Sequence, residues 1–160
     1  MAVTAEAIEQ LHFFNGLPPW ALRTLAASAT ETEHALGDII LRQHDEVTSM
    51  SFLLSGRVAF LLRFQGAADL VVGLSDQVGG LVGWSMFRAP YRSTATVRCE
   101  QNCVLLNVPR AGFDEVFARD PAVHLLILRR VAEAAAVRLM QARDSLVQTA
   151  EPAVRSEVDR

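Results

Sequence analysis

The residues best suited to chemistry lie between Val78 and Val97. Gly79, Gly80 and Gly83 open that stretch, Trp84-Ser85-Met86-Phe87 follow, and Arg92-Ser93-Thr94 close it ahead of a strand-like Thr96-Val97. Glycines let backbone N–H groups approach a ligand closely. A helical turn starting behind them adds free N–H groups and partial positive charge. A guanidinium supplies a planar fork that grips an anion at two points. Together these are the parts of a phosphate cradle. The same residues also read as a glycine-rich connection between two strands with a solvated Arg.

The chain around this stretch excludes several classes. Its 160 residues suit one domain, about half of them apolar, and the net charge is −3 with every one of its 15 Lys/Arg positions an Arg. No basic excess is visible, so no direct DNA binding is expected. The N-terminus lacks a basic signal region, and no apolar run approaches the ~20 residues of a membrane span. A cytoplasmic location is expected. Cys99 and Cys103, with His12, His34, His44 and His124 scattered along the chain, do not form a zinc pattern and read as free thiols in a reducing compartment. No carboxylate pair, Ser/His/Asp grouping or metal cluster stands out, so an enzyme is not expected.

The elements that must position the stretch follow from periodicity. Residues 5–14 place Ile8 and Leu11 at helical spacing, stopped by Asn15-Gly16, and Pro18-Pro19 start a second short helix. Trp20 reads as a packing residue. From Thr30 to Val108 short apolar runs alternate with turn signals: Gly37-Asp38, Ser55-Gly56 and Gln65-Gly66. That spacing predicts an antiparallel β-roll of the double-stranded β-helix or jelly-roll kind, over about residues 30–108. A short helix over 110–118 follows. Asp120-Pro121 starts a long one, predicted over 121–147 and ended by Glu151-Pro152, with 151–160 as a flexible tail. Leu125, Leu128, Val131, Ala135, Leu139, Ala142 and Leu146 recur at steps of three and four along it. This stripe predicts a homodimer seam, with intrachain packing as the alternative. The fold class is α+β: a roll flanked by N-terminal helices and one long C-terminal helix, in one domain over 1–150.

Residues 7–147 resemble the cyclic nucleotide-binding domain family of catabolite-activator-type regulators, protein kinase A regulatory subunits and gated channels. Leu36-Gly37-Asp38-Ile39-Ile40-Leu41 resembles its first glycine turn. Phe52-Leu53-Leu54-Ser55-Gly56-Arg57-Val58 resembles its hairpin, and Leu81 to Val97 its phosphate-binding cassette. The long helix resembles the hinge and dimer helix of the regulators. The resemblance implies a cyclic nucleotide ligand, cyclic AMP ahead of cyclic GMP, held by Gly83, Trp84, Ser85, Arg92, Ser93 and Thr94.

The cassette departs from the family pattern in places. Trp84 stands where the family has a Glu that accepts from the ribose 2′-hydroxyl, and an indole offers only a donor. Trp84 either stacks on a base or fills the sugar pocket, filling being preferred. Ser93 stands at the family's Arg position, with Arg92 one place early, and one residue in an extended segment reverses a side chain's face. His44 replaces a common glycine. The chain ends about thirteen residues beyond Val147, too few for a three-helix DNA-binding domain. The expectation is a stand-alone sensor or regulatory module acting through a protein partner or its own dimerisation. The alternative is a degenerate, ligand-free interaction module.

Overall fold

The computed structural model describes residues 3–63, 66 and 68–158, with side chains described as far as 149. Gln65 and Ala67 of the expected turn at 65–69 therefore lie outside the described residues. Helix α1 spans Ala5–Glu9, capped by the Thr4 hydroxyl, which accepts from the Ala7 amide at 3.2 Å. The predicted single helix over 5–14 is broken. Leu11 is extended, a 3-10 turn covers His12–Phe14, and Leu11, Phe13 and Phe14 are all buried as a result. Helix α2 spans Pro19–Ser28, with proline at its first position, where no N–H is missed.

Eight strands follow: β1 (Thr30–His34), β2 (Ile39–Leu41), β3 (Ser49–Ser55), β4 (Val58–Leu62), β5 (Leu70–Ser75), β6 (Leu81–Val82), β7 (Thr96–Cys99) and β8 (Cys103–Pro109). They form two four-stranded antiparallel sheets, ordered β1-β8-β3-β6 and β2-β7-β4-β5. This is the predicted roll. Its interior is filled from both sheets by Leu53, Val58, Phe60, Val72, Val97 and Leu105. Successive residues of a strand face opposite ways. Phe52 and Leu106, paired across β3 and β8, therefore turn outward, onto a second core built with the helices. The inner strands β3 and β8 are thus largely buried on both faces, while β1 at the edge stays exposed. Cys99 and Cys103 are buried free thiols, and burial pushes the Cys99 thiol up to about 12.

Helix α3 spans Arg110–Arg119 and α4 spans Pro121–Val158. The Asp120 carboxylate accepts from the Ala122 amide at 2.8 Å and so caps α4. α4 does not stop near Val147. It passes through Glu151-Pro152, so residues 151–158 of the expected tail are helical. One proline removes a single ladder bond, and the Ala-Val-Arg-Ser-Glu-Val that follows contains no further breaker. Val123, Ile127 and Val131 are buried against the helical core, and the Arg130 guanidinium donates to the carbonyls of Phe13 and Asn15. The predicted apolar stripe divides. Val131, Ala135 and Ala142 turn toward the body of the protein, while Leu125, Leu139 and Leu146 stand 70%, 71% and 51% exposed.

Candidate functional site

The cassette begins where β6 ends. Gly83 has φ +85°, and a Cβ there would lie 2.7 Å from the Ser49 carbonyl oxygen, so this turn fits against β3 only as glycine. A 3-10 turn over Trp84–Phe87 follows directly, with Ser85 and Met86 buried. The returning segment is pinned to the loop after β2. The His44 amide donates to the Ser93 carbonyl at 2.8 Å, the Ser93 amide to the Asp45 carbonyl at 2.9 Å, and the Val47 amide to the Tyr91 carbonyl at 2.8 Å. His44 holds φ +73°, a left-handed position where the family's glycine would cost less.

Between this cassette and α4 lies a cavity of about 400 Å³. Gly83, Trp84, Ser85, Ser93 and Thr94 line it, together with Ala135, Arg138, Leu139 and Ala142 of α4. Phe60, Leu62, Val72 and Val97 form its floor, so it opens straight onto the roll interior. Five of the six expected site residues thus converge. Arg92 does not. Its backbone pairs with that of Glu46 in an isolated antiparallel β-bridge, its side chain is exposed, and its Nη1 donates to the His44 carbonyl at 2.8 Å, away from the cavity lining. The one-place offset has its expected consequence: Ser93 faces inward and Arg92 outward. Ser93 is itself partly satisfied, its hydroxyl donating to the Ala95 carbonyl at 2.6 Å.

Trp84 is half-buried. It packs on the helical core and stands in the wall between this cavity and a larger one of about 650 Å³ under the loop from Ser75 to Gly80. The cavity nearest the cassette contains one charged side chain, Arg138, which reading along the chain does not single out. The signal is present in the sequence. Arg138 lies seven residues after Val131 and four before Ala142, at an inward-facing position of an otherwise apolar stripe. Among the described residues there is no cluster of three or more His, Cys, Asp or Glu that could hold a metal.

The cassette is tied to the helices behind it by aromatic contacts. Phe87, the last residue of the 3-10 turn, packs edge-on to Phe113 at 5.2 Å and against Phe117 at 5.6 Å, both on α3. Phe117 stacks on His124 of α4 at 3.9 Å. Arg110, at the start of α3, covers the Tyr91 ring at 4.2 Å and donates to the Val47 carbonyl at 2.9 Å.

The architecture is a two-sheet roll with a cavity under one long helix, bordered by a glycine turn and a 3-10 turn. Residues 31–120 match the cyclic nucleotide-binding domain, and the chain belongs to that family. A comparison with curated proteins gave no match. Among solved structures, a cyclic nucleotide-binding domain from Methylobacillus flagellatus superposes with TM-score 0.73 at 13% identity, covering 91% of this chain and 82% of that one. The regulatory domain of Toxoplasma gondii protein kinase A with cyclic AMP gives 0.68 at 16% identity, covering 81% and 49%. A regulatory subunit of a cyclic AMP-independent protein kinase A from Trypanosoma cruzi, bound to guanosine, gives 0.64 at 21%, covering 79% and 43%. At these identities the likeness is one of fold. No helix among the described residues is long and apolar enough to cross a membrane.

Proposed function

We propose that the protein is a regulatory sensor that binds a cyclic nucleotide, cyclic AMP ahead of cyclic GMP, in the cavity between cassette and α4. The observation that carries this reading is the convergence of Gly83, Ser85, Ser93 and Thr94 on a cavity whose opposite wall is a helix. A ligand there touches both the roll and α4, so it favours whichever position of α4 completes its contacts. The contacts from Phe87 through Phe113 and Phe117 to His124 give that preference a route to α3 and α4. Calorimetry with cyclic AMP and cyclic GMP tests the reading. Micromolar binding, about −8 kcal/mol, is expected; no heat and no shift in melting temperature with either nucleotide defeats it. Those results would favour the second reading, a ligand-free interaction scaffold, to which Trp84 in the Glu position and the outward Arg92 lend support.

The output is proposed to be a homodimer along α4, together with a protein partner. Leu125, Leu139 and Leu146 recur at multiples of seven on the exposed face of α4, the spacing of a coiled-coil seam. The double variant Leu139→Arg/Leu146→Arg is expected to sediment as a monomer while wild type sediments as a dimer; equal masses at micromolar concentration defeat the seam.

A further inference from the structure

Arg138 extends from α4 into the wall of the cassette cavity, and nothing described above uses its charge. Its guanidinium carbon sits 3.2 Å from the centroid of the Phe60 ring. Nη1 donates to the Gln141 side-chain oxygen at 3.1 Å, whereas Nε is buried with no partner. Among the described residues no carboxylate pairs with it, and the cavity lining contains no Asp or Glu. Asp76 and Glu133 belong to the larger neighbouring cavity that Arg138 also borders. Gly73 of β5 makes room for the group, since a Cβ there would lie 2.9 Å from Nη1. The arrangement is a platform, an orienting amide and a cleared space around one unpaired cation. Such a cation is costly when buried and becomes favourable once an anion shares the site. Desolvation draws it down to about 10, which still leaves it charged at neutral pH.

We propose that Arg138 is the residue that grips the phosphate of the ligand in this cavity, so that the anion is held from α4 and not from the cassette strand. This rests on the reading of the cavity as a nucleotide site. It follows from the placement of the arginines: Ser93 occupies the inward cassette position, Arg92 is committed to the His44 carbonyl outside the roll, and Arg138 is the one Arg lining the cavity. A phosphate that pairs with Arg138 draws α4 onto the roll directly, and ligand charge then sets how firmly the helix closes.

The test compares each nucleotide with its uncharged nucleoside by calorimetry: cyclic AMP with adenosine, and cyclic GMP with guanosine. The proteins are wild type, Arg138→Gln and Arg92→Gln. A charge-assisted pair predicts that the phosphate tightens binding to wild type by about 10–100-fold. That advantage is expected to vanish in Arg138→Gln and to persist in Arg92→Gln. Gly73→Ala provides a second route, because it displaces the guanidinium without removing it, and the same loss is expected. Circular dichroism establishes that each variant is folded. If the phosphate advantage survives Arg138→Gln and Gly73→Ala, or falls only in Arg92→Gln, the assignment of Arg138 is wrong while the nucleotide site stands. If nucleoside and nucleotide bind wild type equally, the assignment is likewise wrong and the site is a nucleoside site. If none of the four binds, site and assignment fall together.

Discussion

Phe52→Ala is expected to lower stability by about 3–5 kcal/mol, the range for emptying a buried aromatic site. Phe52 is fully buried on the outward face of β3, with ring centroids of Phe13 at 5.0 Å and Phe14 at 4.8 Å. Its neighbours across the sheet are Leu106 of β8 and Leu81 of β6. The ring therefore joins the roll to the N-terminal helices, and these flanking groups are fixed by the sheet and cannot collapse fully into the space left behind. Urea unfolding followed by circular dichroism measures the loss, which corresponds to a drop in melting temperature of roughly 6–20 °C for a domain of this size. Phe52→Leu retains most of the volume and should cost less than half as much. A loss below 1 kcal/mol for the alanine variant would mean that the two cores are not joined through this ring.

The second large effect is expected at Gly56→Ala, between β3 and β4. Gly56 has φ +95°, and a Cβ there would lie 2.3 Å from the Asn102 carbonyl oxygen and 2.9 Å from the Cys103 Cα. Both atoms belong to the backbone and cannot move aside without disturbing β8. Two penalties therefore combine: about 1–2 kcal/mol for a side chain in the left-handed region, and about 1–3 kcal/mol for overpacking. Gly37→Ala separates them. Gly37 has φ +90° with nothing within 4 Å of an added Cβ, so only the conformational penalty applies. Denaturant midpoints for the pair should rank wild type, then Gly37→Ala, then Gly56→Ala. Equal losses for the two variants would refute the close approach at Asn102.

The roll is legible in the sequence because its turns are chemically marked. Gly37 and Gly56 are punctuation in the chain, and both hold the positive φ that only glycine takes easily. The start of α4 is legible for a similar reason, since an Asp that can cap precedes a Pro that fits the first turn. Other features depend on partners distant in the chain and leave no local mark. β6 has two residues, Leu81 and Val82, and is a strand only because β3 offers Ser51 and Phe52 to pair with them. The break in the first helix is set by the burial of Leu11, Phe13 and Phe14 together, which helical periodicity does not foresee. In the site, the glycine and hydroxyl residues are legible and the charge is not. Arg92 attracts notice because it sits among small polar residues, while Arg138 lies in a helix whose inward face is defined only once the roll is present.

The pairing of β1 with β8 has a consequence for the order in which the molecule is made. Thr30 meets Asn107, 77 positions later, and no local hairpin brings them together. Loop closure on that scale must be met before the contacts reward it, which places the roll among slowly folding topologies. During synthesis at ~5–20 residues per second, β1 leaves the ribosome about 4–15 s before its partner exists. A strand that waits in water as Thr-Glu-Thr-Glu-His carries charge on an unpaired edge and has little tendency to recruit another chain. β1 also ends at the edge of the finished sheet, so the acidic side chains that keep the nascent strand solitary go on protecting the mature one.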